Sequence, residues 1–286
     1  QTYRTCTRET EKKTGDPSAV TYRKVADAAV PEPFADSAAL KTAVDNCLTA
    51  VPSGLDCCKP KSEGVGGADC GAGKHAAIGD WDTSKVTSME KLFQRASRFN
   101  QPIGDWDVSQ VTDMNHMFLR SSFNQPIGDW DVSNVKNMQY IFMSAITFNQ
   151  PIGDWNVSSV IDMECMFYKA EAFNQPIGNW VVSNVTNMDG MFWIAKSFNQ
   201  PIGDWDVSKV TNMTDMFNGA NDFNQPIGNW DVSNVTKMGD MFNNSGYTHN
   251  EAFSSSSDTT QTINGMKFQM ASGNIYGTIS LYGIKT

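Results

Sequence analysis

The amino-acid sequence predicts a repeat solenoid of seven coils, each holding one short parallel β-strand and one short helix, between a disulfide-containing N-terminal cap and a β-stranded C-terminal segment. Three observations carry this expectation. Trp81, Trp106, Trp130, Trp155, Trp180, Trp205 and Trp230 are spaced 25, 24, 25, 25, 25 and 25 residues apart. Around each runs the same phrase, FNQPIGDWDVSxVTxMxxMFxxAxx, which lacks its opening FNQ only in the first copy, at Ile78. Cys6, Cys47, Cys57, Cys58 and Cys70 crowd ahead of the repeats, and only Cys165 lies within them. Self-similarity at a fixed period of about 20–50 residues marks units that bury their apolar side chains only by stacking on their neighbours. The expected divisions are residues 1–72 as the cap, 73–245 as the repeats and 246–286 as the C-terminal segment.

The cap holds one helix, begun by Asp36 or Ser37, with Leu40, Val44, Cys47 and Leu48 on its apolar side. Adjacent Cys57 and Cys58, with no histidine at a metal-ligand spacing, favour disulfides over zinc and an oxidising compartment. Five is an odd number, so one N-terminal thiol is free, pairs with Cys165 or pairs with another chain. Spacing alone leaves the connectivity open.

Within a copy, Trp106-Asp107-Val108-Ser109-Gln110-Val111 alternates apolar and polar residues, the pattern of a half-buried strand. Val111, Met114, Met117 and Phe118 then fall on one face of a short helix, with Thr112 or Asp113 to cap it. Phe123-Asn124-Gln125-Pro126-Ile127-Gly128 is an extended stretch closing in a turn, where proline fixes φ and glycine is expected to supply a positive one. The single 24-residue step reflects a one-residue deletion between Phe118 and Phe123, which marks a surface loop.

The repeated positions read as architecture. The Trp ladder is core rather than a sugar-stacking platform, each large apolar side chain contributing roughly 1.5–3 kcal/mol on burial. Asn100, Asn124, Asn149, Asn174, Asn199 and Asn224 form a column whose amides satisfy backbone groups of the neighbouring coil. Two acidic ladders flank the Trp column. In the first, Asp80, Asp105, Asp129, Asp154 and Asp204 alternate with Asn179 and Asn229, so a turn hydrogen bond is expected there. The second, Asp82, Asp107, Asp131, Asp206 and Asp231, is broken by Asn156 and Val181. No cofactor is expected; calcium is the one ion that stacked carboxylates could hold. A threonine array suited to ice is spoiled by Lys136 and Ile161.

Composition narrows the function classes. The repeats carry eleven basic and nineteen acidic residues between positions 73 and 243, nearly all of the net charge of −9. An acidic surface disfavours nucleic acid and anionic lipid. No apolar run approaches the roughly 18 residues that span a bilayer. A start at Gln1 rather than Met fits a processed N-terminus. His75, His116 and His249 lie far apart, and no nucleophile elbow, phosphate-cradling loop or metal-binding histidine pair is present, so no catalytic residue is assigned. Glycosylation sequons occur at Asn156, Asn184, Asn212, Asn234 and Asn243. Trp193 stands outside the Trp ladder, at a position filled elsewhere by Gln94, Leu119, Met143, Tyr168, Asn218 and Asn243, and is the contact candidate.

The phrase FNQPIGDWDVSNVT and its neighbours over residues 78 to 243 resemble the BspA-like leucine-rich-repeat surface proteins, in the mycoplasma-lipoprotein form. Ser37 to Thr49, running on into DNCLTAVPSGLDCC, looks like the leader of such repeats in marine microbial eukaryotes. The ending SGNIYGTISLYGIKT resembles the last strands of viral and phage fibre jelly-roll domains, too short here for a whole domain. The strands Met266–Met270 and Gly277–Tyr282 would then cap the stack or add to a partner's sheet. The resemblance implies a leucine-rich-repeat-like coil in a secreted or surface protein. The expected function is an extracellular structural or adhesive surface protein, self-associating into a fibre or surface lattice, and not an enzyme. The alternative is a glycan- or protein-binding module using the strand face of the coils.

Overall fold

A computed structural model describes residues 32–61, 66–249, 260–263 and 266–269. One α-helix, α1 (Ser37–Ala50), precedes the repeats. Asp36 caps it, its Oδ1 accepting from the N–H of Ala39 at 2.8 Å, and Leu40, Ala43, Val44 and Cys47 are buried. After the repeats, β1 (Thr260–Ile263) and β2 (Met266–Gln269) pair antiparallel, with Thr260 opposite Gln269. The strand expected at Gly277–Tyr282 lies outside the described residues.

The seven copies stack in register, but the expected strand and helix of each coil do not form: among the described residues the repeats hold no strand and no α-helix, only one 3-10 turn at Ile78–Asp80. In place of the strand stand consecutive turns. The N–H of Trp106 donates to the carbonyl of Ile103, that of Ser109 to Oδ1 of Asp107, and that of Val111 to the carbonyl of Val108. Trp106, Val108 and Val111 point inward because a turn places them there. The three-residue step from Val108 to Val111 already departs from strict alternation. Neighbouring copies share a single parallel bridge, as at Ser88–Asp113 and Asp113–Asn137.

The expected helix fails for a different reason. Met89, Lys91, Phe93 and Arg95 donate their N–H groups to Asp113, Asn115, Met117 and Leu119 of the next copy, at 2.7–2.9 Å. The intervening Leu92, Gln94 and Ala96 donate to the residue three before. An α-helix would keep every amide inside its own copy and leave none to join the stack. To turn alternate amides along the stack, the chain adopts positive φ twice per copy, at Lys91 (57°) and Arg95 (61°) and at the equivalents in later copies. Gly190 and Gly219 occupy two of these positions, whereas β-branched Ile194 occupies another at 57°.

Side chains complete the lock. Phe93, Phe118, Phe142, Phe167, Phe192, Phe217 and Phe242 stack at centroid spacings of 5.6–5.7 Å. A second Phe column lies against it, closed at the C-terminal end by Tyr247. The Asn column works as expected: Oδ1 of Asn124 accepts from the N–H of Asn149 at 2.9 Å and from Nε2 of Gln150 at 3.0 Å. The pattern runs beyond Phe242, because Tyr247, Thr248 and His249 fill the Phe, Asn and Gln positions; Oδ1 of Asn224 accepts from the N–H of Thr248 at 2.9 Å. In 25-residue copies the N–H of the second Phe donates to an alanine carbonyl, as Phe148 does to Ala145. In the two short segments that alanine is serine, and Ser121 and Ser245 accept from Phe123 and Tyr247 through their hydroxyls.

At the N-terminal end, Phe34 packs on Trp81 at 5.2 Å, and Oγ of Ser37 accepts from the N–H groups of Thr87 and Ser88. The helix thus occupies the place of a preceding coil. Disulfides Cys47–Cys57 and Cys58–Cys70 close loops of 10 and 12 residues beneath it. Each restricts the unfolded chain by about 2.5–3 kcal/mol. Cys165 is a free thiol, and Cys6 lies outside the described residues.

The repeated glycine of the Pro-Ile-Gly turn does not have the positive φ expected of it. It is required by close approach: a Cβ on Gly153 would lie 2.4 Å from the carbonyl oxygen of Pro176 in the next copy. Gly153→Ala is therefore expected to destabilise the fold by about 1–3 kcal/mol in urea unfolding. Gly239→Ala, with nothing within 4 Å, is expected to stay within about 0.5 kcal/mol of the parent.

Candidate functional site

The Trp column is interior. All seven indoles are 3–5% exposed, and from Trp106 onward each Nε1–H donates to the isoleucine carbonyl of the preceding copy, as Trp155 does to Ile127 at 2.9 Å. No sugar face is offered there. Trp81, first in the column, has no such carbonyl ahead of it, and its Nε1 finds no partner among the described residues.

The turn hydrogen bond expected of the first acidic ladder is made by the second. Hydrogen bonds to turn amides come from the second: Asp82, Asp107, Asp131, Asn156, Asp206 and Asp231 each accept from the N–H of the serine two residues on. An amide oxygen serves as well as a carboxylate, which explains Asn156, while Val181 forgoes the bond. The serine contacts hold Asp131, Asp206 and Asp231 below the ordinary carboxylate pKa. The first ladder is exposed at Asp80, Asp105 and Asp154. The three sulfurs of Cys47, Cys57 and Cys58 come together because two disulfides are adjacent, and each is already bonded.

Of the sequon asparagines, Asn156, Asn184 and Asn234 are exposed. Asn184 and Asn234 donate to the carbonyls of Ser158 and Ser208. Asn212 is half-buried, with its Nδ2 on Asp189 and its Oδ1 accepting from Thr214, so a glycan there would compete with the Asp189 contact. Asn243 is half-buried.

Variation between copies gathers on one turn face, around the two positive-φ positions. Trp193 stands here, half-exposed, with its ring 4.6 Å from that of Tyr168 and its side chain over Gly190. The Nζ of Lys169 lies 5.0 Å from the Tyr168 ring. Beside them, Glu164 accepts from the hydroxyl of Tyr140, from Nε2 of Gln139 at 3.4 Å and from Nδ2 of Asn187 at 3.3 Å. Burial, with Asp189 nearby, raises the Glu164 pKa. Burial also raises Asp215, beside Asp240 and Asp189. The Cys165 thiol is pushed up to about 12, by burial first and then by Glu164 and Asp189. His116 stacks on Tyr140 at 4.5 Å, and burial together with Lys91 lowers its pKa. Trp193 was legible from the sequence; the clustering around it was not, although Gly190 and Gly219 mark the positions where the backbone turns left-handed.

The family model described as "Mycoplasma protein of unknown function, DUF285" matches residues 68–180 and again 162–275. The chain belongs to this family. The two tandem matches to DUF285 span the stacked copies, which makes the chain a mycoplasma-type repeat protein. Neither a curated protein nor a solved structure matches it. Among the described residues of this DUF285 chain, no helix is long and apolar enough to cross a membrane.

Two outcomes check the electrostatics of this face. Because the folded state raises the Glu164 pKa, it binds that proton more tightly than the unfolded chain does, and ionisation costs stability above the raised value. Glu164→Gln is expected to stabilise the protein at neutral pH. The gain should shrink as pH falls through the window just above the ordinary carboxylate range, as read by urea unfolding at neutral and mildly acid pH. The Cys165 thiol should react with iodoacetamide at least about a hundredfold more slowly in the folded than in the urea-unfolded protein, followed by mass spectrometry.

Proposed function

We propose that this chain is an extracellular structural or adhesive surface protein, in which the stacked copies are a scaffold that presents the variable turn face. The observation that carries this reading is the division of labour within each copy. Trp, Phe, Met, Asn and Gln repeat almost unchanged and are spent on joining one copy to the next. Copy-specific residues collect on one face and leave the columns undisturbed. Disulfides between Cys47 and Cys57 and between Cys58 and Cys70 support an oxidising compartment. The resemblance of the repeat phrase to BspA-like surface proteins supports a cell- or particle-surface location.

A second reading, a glycan- or protein-binding module, has one observation in its favour. The stacked, half-exposed rings of Tyr168 and Trp193 stand beside the hydrogen-bonding side chains Gln139, Glu164 and Asn187. Aromatic faces flanked by acceptors and amide donors suit pyranose rings. The coils have no strand face to serve as the platform expected from the sequence, so this reading moves to the turn face.

Protein-coated beads passed over glycan arrays and over matrix-protein surfaces test both. Retention is expected for the parent chain. If Trp193 is the anchor, Trp193→Ala should weaken retention at least about tenfold with little change in thermal stability. Retention that survives Trp193→Ala keeps the adhesive reading and sinks the aromatic platform. Absence of retention on every surface sinks both.

A further inference from the structure

The turn face is charged in opposite senses at its two ends. At the first positive-φ position, Lys91 and His116 open the column, Tyr140, Cys165 and Gly190 fill its middle, and Asp215 and Asp240 close it. At the second, Arg95 and Arg120 begin a column that ends in Gly219 and Asn244. Three residues further along the copy, Arg98 in the first corresponds to Asp222 in the sixth. Between the ends runs a half-exposed strip of Met143, Tyr168 and Trp193, with Lys169 over the Tyr168 ring its one cation. Backbone hydrogen bonds set these columns side by side in register.

The cationic end is also concave. Lys41 of α1, with Lys91, Arg95 and Arg98 of the first copy, rims a cleft of about 560 Å³ whose wall includes Leu48 and Leu92. Lys41 pairs with Asp45, and Lys91 with Glu90. Arg95 and Arg98 are exposed and form no ion pair among the described residues. At the opposite end Asp222 and Asp240 are likewise exposed, without an ion pair among the described residues.

We propose that this face docks a second copy of the same chain, antiparallel, about a two-fold axis through the fourth repeat. The inference rests on the reading of a self-associating surface protein and names the surface and the partner. A two-fold axis there brings the first copy opposite the seventh and the second opposite the sixth, so both cationic ends meet anionic ends at once. The aromatic strip meets itself across the axis. A parallel arrangement would set like charges together along the whole face. A polyanion would satisfy only the arginine end and be repelled by Asp215, Asp222 and Asp240. Charges at exposed ends specify orientation and depend on salt, while aromatic contacts at the centre supply the apolar burial.

Sedimentation velocity of the full chain tests this in low salt and in about 1 M salt, where the screening length is about 3 Å. The parent should form a dimer in low salt, with a dissociation constant at least about tenfold weaker in high salt. Arg95→Glu with Arg98→Glu makes both ends anionic, and Asp222→Lys with Asp240→Lys makes the opposite end cationic. Each double variant alone should be monomeric, and an equimolar mixture of the two should recover a dimer, because their faces now complement one another. Thermal unfolding of each variant confirms that it folds. A parent that stays monomeric at every concentration overturns the proposal, and so does a dimer that survives both reversals. Bead retention is read separately: retention by a monomer sinks the dimer alone, and a dimer without retention sinks the adhesive reading alone.

Discussion

The structure depends on where four backbone N–H groups in each of the first six copies point. Those of Met89, Lys91, Phe93 and Arg95, and of their equivalents, run along the stack to the next copy. An amide buried without a partner costs more than a typical hydrogen bond contributes, so this requirement constrains everything nearby. It explains why twelve of the fourteen positive-φ positions in the repeats are occupied by residues other than glycine. Left-handed backbone costs each of them about 1–2 kcal/mol, and the amide carried across to the neighbour offsets it. It also draws the backbones close enough that the turn glycine meets the next proline carbonyl.

That arrangement separates two kinds of side chain. Residues facing inward or along the stack have one partner set, supplied by the adjoining copies, and change little. Residues at the left-handed turns face out and change freely, from lysine through tyrosine and cysteine to aspartate down a single column. The carboxylates and the thiol gathered there shift one another's protonation. Burial leaves Cys165 a poor nucleophile.

Much of this could be read from the residues alone, and the failures have physical causes. The 25-residue period, the interior Trp and Phe columns and the Asn amide ladder follow from side chains that need a stacked neighbour. The helix beginning near Asp36 follows from a capping carboxylate ahead of an apolar stripe. The strand and helix within each coil did not form, because succession of turns buries Trp106, Val108, Val111, Met114, Met117 and Phe118 as completely as those elements would. Periodicity reports which side chains are inside and says little about the path between them. The glycine of Pro-Ile-Gly was misread for a related reason: a required glycine can signal torsional freedom or proximity, and only the neighbouring copy distinguishes them. The turn hydrogen bond was placed in the first acidic ladder rather than the second because both admit asparagine. The tolerance of Asn156 was the clue that lay in the second.

The last described rung of the amide column differs in kind from those before it. Asn224 hands its side-chain oxygen to Thr248, whose hydroxyl turns back and donates to that same oxygen. Threonine has no amide carbonyl to extend to a following rung, while His249 keeps the role of glutamine, its Nε2 lying 3.1 Å from the carbonyl of Asn224 as Nε2 of Gln150 reaches back to that of Asn124. An open carbonyl at this place would invite the exposed edge of another molecule to continue the series, the hazard common to unpaired backbone edges. Replacing Asn by Thr therefore removes from this rung the side-chain oxygen on which a further copy would hang its amide.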